Sequence, residues 1–238
     1  MAERLQKRIA ASGLMSRRAA EEAIREGRVA VNGITAGLGD RAEDTDLVTL
    51  DGTPLPDAEE KQYILLYKPR GYVCSMCDER GRRSVRELLP ESFGRVYPVG
   101  RLDIMSEGLL LMTNDGDFAR FMMHPSNAIR KTYRTTVRGE ALEEGIAKLR
   151  QPLEIDGAFV QADQVRLLKK SDDRAVLDIV IHEGKNRQIR RMCEAAGLRV
   201  LRLVRVREGS FVLDGLTSGK YRVLSQKEVQ AARGADRE

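Results

Sequence analysis

The sequence predicts an α+β fold with two domains. A small helix-helix-hairpin domain comes first, and a larger domain with a mixed, largely antiparallel sheet flanked by helices follows. Three observations predict this. Two short amphipathic helices and a hairpin fill the first 50 residues, and residues 55–61 form a polar, proline-containing stretch. From Tyr63 onward, strands alternate with helices through hairpins and long connections. We therefore expect domains at residues 1–60 and 61–238.

The first domain is defined by apolar spacing and by helix-ending residues. Residues 3–12 carry Leu5 and Ile9 on one face and stop at a glycine, which predicts a helix. Ser16 is a suitable N-cap for a second helix over residues 17–26. The hairpin consists of residues 28–32, an Asn-Gly turn and residues 46–50.

The second domain is defined by alternating apolar patterns and by turn residues. The predicted strands are residues 63–67, 108–113, 131–138, 175–182, 201–213 and 221–224. The predicted helices are residues 117–124, 141–150 and 186–196, and Ser225 is the expected N-cap of a terminal helix.

Composition and charge limit the function classes. The 238 residues are 42 % hydrophobic, which is enough for a core, and 41 Lys and Arg against 36 Asp and Glu give a net charge of +5. A basic balance favours a polyanionic partner. Three cysteines, an odd number, argue against a disulfide framework and indicate a reducing compartment. No apolar run approaches about 18 residues, so we expect a cytoplasmic protein without a membrane partner.

The most informative stretch is residues 99–116. Gly100, Arg101 and Asp103 precede an apolar strand that closes with an Asn-Asp-Gly turn. Asp103 is therefore expected in a loop held by a rigid sheet, which is where catalytic groups tend to lie. Taken alone, Asp103 also fits a structural turn aspartate bonded to backbone N–H groups. With Glu107 it also fits the carboxylate pair of a glycosidase.

Two clusters of basic residues predict a surface that binds the phosphate backbone of a nucleic acid. Lys185, Arg187, Arg190 and Arg191 lie at a turn that enters a helix, where residues 187, 190 and 191 would share a face. The second cluster lies in a predicted strand and contains Arg199, Arg202, Arg205 and Arg207. Either cluster alone is equally consistent with a solvated surface.

Several segments together resemble the rRNA pseudouridine synthases of the RsuA/RluB type, and the N-terminal unit resembles an S4 RNA-binding domain. The resemblance covers nearly the whole chain. The S4-like segments are residues 5–22 and 27–33. The synthase-like segments are Tyr-Lys-Pro-Arg-Gly-Tyr from Tyr67, Gly-Arg-Leu-Asp from Gly100, Lys-Thr-Tyr from Lys131, residues 183–192 and Gly-Lys-Tyr-Arg-Val-Leu from Gly219.

The resemblance implies isomerisation of a uridine in ribosomal RNA without a cofactor and without a metal, by a protein that we expect to act as a monomer. Residues 68–71 and 185–192 favour the large-subunit branch over the small-subunit branch. Asp103 resembles the catalytic aspartate, Tyr133 the tyrosine that stacks on the flipped base, and Arg190 the basic residue that pairs with the aspartate. The expected RNA-binding residues are Arg4, Lys7, Arg8, Arg17, Arg18, Arg28, Lys68, Arg101, Lys185, Arg187 and Arg191.

Three other interpretations compete with the enzyme. A non-catalytic RNA-binding protein would keep the fold, but Asp103, Tyr133 and Arg190 all stand where the motifs require them. A nucleoside hydrolase or glycosidase would release free uracil. The Cys74-Ser-Met-Cys77 spacing suggests a metal or redox site, yet the remaining cysteine and the two histidines have no ligand-like spacing.

Overall fold

The computed structural model describes residues 2–76, 78 and 80–235. The chain divides into two compact units, Met1–Lys61 and Gln62–Glu238, so the division lies one residue from the expected boundary. Cys77 lies outside the described residues, and with it half of the Cys-x-x-Cys pair. Among the described residues, no helix is long and apolar enough to cross a membrane.

The first unit packs two helices on a small antiparallel sheet. The helices are α1 (Leu5–Ala11) and α2 (Arg17–Arg25). The strands are β1 (Glu3–Arg4), β2 (Val29–Val31), β3 (Ile34–Thr35), β4 (Arg41–Ala42), β5 (Val48–Leu50) and β6 (Thr53–Pro54). The sheet order is β3-β2-β5-β6, and β1 pairs with β4. Leu5, Ile9 and Ile24 bury the helix stripes against Val29 and Val48.

Local capping explains where α2 begins. The Ser16 hydroxyl accepts a hydrogen bond from the Ala19 N–H at 3.0 Å, as expected of an N-cap. The expected linker is partly bound to this unit, because the N–H groups of Leu55 and Glu59 donate to the carbonyls of Val48 and Ala11.

The second unit is a mixed sheet with helices. Its strands are β7 (Tyr63–Lys68), β8 (Tyr97–Val99), β9 (Glu107–Thr113), β10 (Lys131–Arg138), β11 (Leu153–Ile155), β12 (Ala158–Val160), β13 (Gln164–Lys170), β14 (Arg174–Ile181), β15 (Arg199–Glu208), β16 (Phe211–Val212) and β17 (Tyr221–Val223). Its helices are α3 (Gly116–Met123), α4 (Leu142–Leu149), α5 (Gln188–Ala195) and α6 (Gln226–Ala235), with 3₁₀ turns at Val85–Leu88, Glu91–Phe93 and Pro125–Asn127.

The large sheet has the order β13-β14-β10-β15-β9-β7-β17. Every neighbouring pair is antiparallel except β15 and β9, which meet in parallel over only two register pairs, Val204 with Glu107 and Arg205 with Gly108. The contact is close. A Cβ on Gly108 would lie 2.3 Å from the Arg205 carbonyl oxygen, so this position requires glycine.

Separate cores stabilise the two halves of this sheet. Helices α4 and α5 cover one half through Leu142, Ile146 and Met192, whereas α3 covers the other half through Phe118. The two halves therefore meet where β9 and β15 touch, with helices to either side of the seam. This seam positions the site described below.

The predicted helices and strands occur with small shifts in their ends, except that the single strand expected over residues 201–213 is two strands, β15 and β16, joined by a turn at Gly209. Residues 3 and 4, expected in the first helix, form β1 instead. The sequence also did not predict β3, β4 and β6 in the first unit or β8, β11, β12 and β13 in the second. Strand β13 reads Gln-Val-Arg-Leu-Leu-Lys-Lys, is mostly exposed at the sheet edge and lacks the alternation that marks a half-buried strand. The β11 and β12 strands of three residues each flank an Asp156-Gly157 turn, a hairpin signal that was available in the sequence.

Candidate active site

The loop before β9 presents Asp103 at the seam of the sheet. It begins at Gly100, whose φ of +76° is in the left-handed region that favours glycine. The Ser106 N–H donates to the Asp103 carbonyl at 2.9 Å and closes a turn. Gly71 N–H donates to the Ile104 carbonyl at 2.8 Å, which ties the loop to the segment after β7. Asp103 is thus held at its backbone, and its side chain remains half-buried.

Lys68 lies beneath this loop and is 0 % exposed. Its ammonium donates to the carbonyls of Ser106 at 2.7 Å, Pro69 at 3.0 Å and Asp103 at 3.1 Å, which uses all three N–H donors. Burial lowers its pKa to about 8, although Cys74, Asp103 and Glu107 favour the charged form. The expectation that Lys68 binds RNA is therefore wrong, because the side chain is enclosed and supports the loop from within.

A cavity of about 740 Å³ opens in front of Asp103. The Asp103 loop, the end of α3, strands β10 and β15 and residues 181–189 surround it, and all of these belong to the second unit. This volume suits a nucleotide-sized ligand. The acidic side chains that line it are Asp103, Glu183 and Glu208, and the basic ones are Arg101, Lys131, Lys185, Arg187 and Arg205.

Tyr133 lies in the same cavity and is 9 % exposed. It occupies β10 with its side chain on the face that α4 and α5 cover, and burial raises the pKa of its phenol, so the ring is neutral. The structure therefore brings Asp103 and Tyr133, which are 30 residues apart in sequence, to one cavity.

Arg190 reaches the Asp103 loop but does not pair with the Asp103 carboxylate. Its guanidinium donates to the Met105 carbonyl at 2.9 Å and to the Ser106 hydroxyl at 3.3 Å. Burial lowers the pKa of Arg190, while Asp103 nearby opposes that change. Within the described residues, no side chain forms a hydrogen bond or ion pair with the Asp103 carboxylate. Arg190 thus orients the loop, whereas the expected role was to pair with the aspartate.

The other basic residues of the second unit divide between the cavity and structural contacts. Arg101, Lys185 and Arg187 line the cavity. Arg187 has a φ of +50° and precedes α5, so it does not share a helix face with residues 190 and 191 as expected. Arg191 forms an ion pair with Asp156 at the tip of the β11–β12 hairpin and is not among the cavity residues.

Some basic residues of the first unit are exposed, whereas others form ion pairs or hydrogen bonds within the unit. Arg4, Arg17 and Arg18 are exposed, Lys7 contacts Glu3 at 2.9 Å, and Arg28 forms two hydrogen bonds with Asp51. Arg8 differs from the expectation of an RNA-facing residue. Its guanidinium donates to the carbonyls of Glu43 and Asp46, so it holds that loop in place.

Glu107 does not form a carboxylate pair with Asp103. It is 7 % exposed, is absent from the cavity lining and is bonded by Arg202 at 3.0 Å and Arg70 at 2.9 Å. Burial alone would raise the pKa of Glu107, but the two guanidinium groups hold it below its usual value. This arrangement removes the basis of the glycosidase reading, which needs two carboxylates flanking one bond.

The described part of the chain offers no metal centre. None of its His, Cys, Asp and Glu side chains form a group of three or more that could hold an ion. The Cys74 thiol instead contacts the Leu102 backbone: the Leu102 N–H donates to Sγ at 3.2 Å, and the thiol donates to the Leu102 carbonyl at 3.4 Å.

The sequence did not predict that Arg205 and Glu208 belong to the site. Arg205, which was expected on a surface that binds the phosphate backbone, is buried at the base of the cavity, and Glu208 is buried beside it. His124 and His182 also line the cavity. Arg205 is one of four arginines in the same strand, and no local sequence pattern distinguishes the buried arginine from the exposed ones.

Comparison with known proteins agrees with this geometry. The model of the RNA pseudouridylate synthase family matches residues 62–195, and that of the S4 domain matches residues 3–48. The chain is 41 % identical to a ribosomal large subunit pseudouridine synthase B from Bacillus subtilis, over 97 % of this chain and 96 % of that protein. It is 38 % identical to one from Vibrio cholerae, over 98 % of this chain and 75 % of that protein.

A solved structure described as a pseudouridylate synthase superposes with a TM-score of 0.67 at 31 % identity, over 96 % of this chain and 99 % of that chain. The family match covers more than half of the chain, and it spans the loop of Asp103, strand β10 and helix α5. By these matches the chain belongs to the RNA pseudouridylate synthase family, which are isomerases, and carries an S4 domain at its N-terminus.

Proposed function

We propose that this protein isomerises one uridine of large-subunit (23S) ribosomal RNA to pseudouridine. The observation that carries the proposal is the single cavity that holds both Asp103 and Tyr133. The names of the relatives from Bacillus subtilis and Vibrio cholerae support the large subunit as the source of the RNA.

Asp103 is the proposed catalytic residue. The reaction cuts the N1–C1′ bond of the uridine with the electron pair staying on N1, turns the uracil and joins C5 to C1′. C5 then loses its hydrogen as a proton, and N1 takes up a proton. The Asp103 carboxylate has no partner in the described chain, which leaves it available to the sugar. Two routes use this carboxylate: attack at C1′ to give a covalent sugar ester, or abstraction of a sugar proton to give a glycal-like species.

Tyr133 is the proposed platform for the base. A base cannot be detached and turned inside a stacked helix, so the enzyme must extrude the nucleotide into its cavity. Tyr133 offers a neutral aromatic ring inside the cavity for stacking. The proposal includes no cofactor, because the rearrangement is redox-neutral: C5 loses one proton and N1 gains one, so no oxidant or reductant is consumed.

The arginines and lysines around the cavity act on the RNA backbone and on the loop. Arg101, Lys185 and Arg187 line the cavity and are proposed to bind phosphates near the flipped uridine. Arg190 is a positioning residue, because it acts on the Asp103 loop through Met105 and Ser106.

In the first unit, the exposed Arg4, Arg17 and Arg18 are proposed to contact an RNA stem. We propose that the protein acts as a monomer on ribosomal RNA in the cytoplasm.

The test is to map pseudouridine after incubation with unmodified rRNA. Transcripts of bacterial 23S and 16S rRNA are treated with the protein or its Asp103→Asn variant, labelled with carbodiimide and read by reverse transcription. The proposal predicts one Asp103-dependent stop in 23S rRNA. A stop in 16S rRNA alone would assign the small subunit, release of free uracil would indicate a hydrolase, and no Asp103-dependent change would refute the enzyme.

A further inference from the structure

A β-bulge in β15 sends two charged side chains into the cavity. Along the β10–β15 ladder, Thr132 pairs with Arg207 but Tyr133 pairs with Arg205, so Val206 is left without a partner. Because side chains alternate along a regular strand, Arg205 and Glu208 would otherwise point to opposite faces. The extra residue places both on the cavity face, opposite Tyr133 and Lys131 respectively.

Both side chains are buried but incompletely satisfied. Arg205 and Glu208 are each 2 % exposed, and the Arg205 Nη2 lies 3.3 Å from a Glu208 carboxylate oxygen. The Arg205 Nε donates to the Leu109 carbonyl at 2.8 Å, which fixes the guanidinium. The contact between Nη2 and the carboxylate oxygen Oε2 is an ion pair without the geometry of a hydrogen bond, and neither atom has another hydrogen-bond partner among the described residues. The Arg205 guanidinium also interacts with the Tyr133 hydroxyl.

Such atoms are costly in a folded protein. A buried polar atom without a hydrogen bond is rare and unfavourable, and each case calls for an explanation. Here the two atoms are a donor and an acceptor, side by side in the wall of the cavity that holds Tyr133. A ligand that offers an adjacent acceptor and donor would satisfy both at once.

The uracil base has this pattern on its edge. Its N3–H is a donor and lies between two carbonyl oxygens, O2 and O4, which are acceptors. We propose that Glu208 accepts the N3–H of the flipped base and that Arg205 donates to an adjacent carbonyl oxygen, so that the pair selects uracil. This inference rests on the proposed function, since it assigns the base-reading residues of the same cavity.

Cytosine is the base against which this pair discriminates. An ionised carboxylate is only an acceptor and a guanidinium is only a donor. Cytosine presents an unprotonated N3 and an amino group in place of N3–H and O4, so it would face Glu208 acceptor to acceptor. Sites built around buried polar groups reject a mismatched ligand strongly, because those groups stay unpaired.

The experiment measures base selectivity in the Glu208→Gln variant. The probe is the fragment of 23S rRNA that carries the mapped uridine, made with either uridine or cytidine at that position. All proteins carry Asp103→Asn so that binding is measured without turnover. A glutamine side chain both donates and accepts, so we expect the ratio of the two dissociation constants to fall by about tenfold or more.

Two further variants separate base reading from a structural role. Glu144→Gln changes an exposed residue of α4 and should leave the ratio unchanged. Arg205→Lys keeps a positive charge at the seam and should also lower the ratio. The inference would be overturned if Glu208→Gln lowered the affinity for both RNAs by the same factor, or if it lowered only the melting temperature.

The failure of the proposed function gives a different result. A protein with native Asp103 that forms no pseudouridine in the uridine fragment refutes the function. A protein that forms it while Glu208→Gln and Arg205→Lys keep the full preference for uridine over cytidine refutes the base-reading role alone.

Discussion

Replacing Lys68 by methionine tests whether a buried cation holds the Asp103 loop. The substitution removes three charge-assisted hydrogen bonds to the carbonyls of Pro69, Asp103 and Ser106. Such bonds contribute about 1.5–3 kcal/mol each, or about 4.5–9 kcal/mol in total. Opposing them is the cost of taking the ammonium out of water, which exceeds its attraction to Cys74, Asp103 and Glu107, because the pKa of Lys68 falls from 10.5 to about 8.

Because this cost offsets part of the hydrogen bonding, we expect the substitution to lower the free energy of unfolding by about 3 kcal/mol, at the upper end of the usual range for single substitutions. For a chain of this size that corresponds to a melting temperature lower by about 6–12 °C. Since the loop also carries Asp103, pseudouridine formation should fall at temperatures where the variant is still folded. Circular dichroism melts and single-turnover rates measure the two effects.

The matched control is Lys148→Met on the exposed face of α4, which should change neither quantity. If Lys68→Met melts within about 2 °C of the native protein and keeps its rate, then Lys68 does not hold the loop.

Three further predictions follow from the same contacts. In the native state Lys68 loses its proton near pH 8, but in the unfolded chain only near 10.5. The unfolded chain therefore binds more protons between these values, and the stability advantage of the native protein over Lys68→Met should grow by up to about 3 kcal/mol as pH rises from 8 to 10.5. Urea unfolding at pH 7.5 and 9.5 measures this, and a constant difference would contradict it. Arg190→Ala should lower the single-turnover rate by about tenfold or more with little loss of RNA affinity, whereas a loss of affinity alone would assign it to RNA binding. Replacing Arg17 and Arg18 by alanine should reduce the salt dependence of RNA binding by about one unit of slope per lost phosphate contact. The double variant should keep its melting temperature, whereas Arg8→Ala should lower it; unchanged affinity in the double variant would remove those two residues from the RNA surface.

Much of the fold could be predicted from local patterns. The β10 strand was predicted with its observed bounds, and its buried and more exposed residues alternate from Tyr133 to Arg138. Asp103 was identified because glycine, a turn and an apolar strand follow one another within a few residues. Tyr133 required the resemblance, because one tyrosine in a strand is as consistent with core packing as with a site.

Other features depend on tertiary contacts that the sequence does not encode locally. Lys68 ends an apolar strand, where a lysine ordinarily reaches solvent, but three carbonyl groups from two separate loops converge on it. Arg205 stands in a row of arginines, and the bulge at Val206 reverses the alternation that would have assigned its side. A bulge arises from pairing with another strand, so its position cannot be read from one strand alone.

The most direct measurement is release of tritium from RNA labelled at C5 of uridine. Joining C5 to C1′ expels the C5 hydrogen, so isomerisation transfers tritium to water. The native protein and Asp172→Asn, which changes an exposed turn aspartate, should release tritium from 23S rRNA at similar rates. Asp103→Asn should bind the same RNA and release tritium at least about 10³-fold more slowly. Equal release by the Asp103 variant would contradict the assignment of Asp103 as the catalytic group.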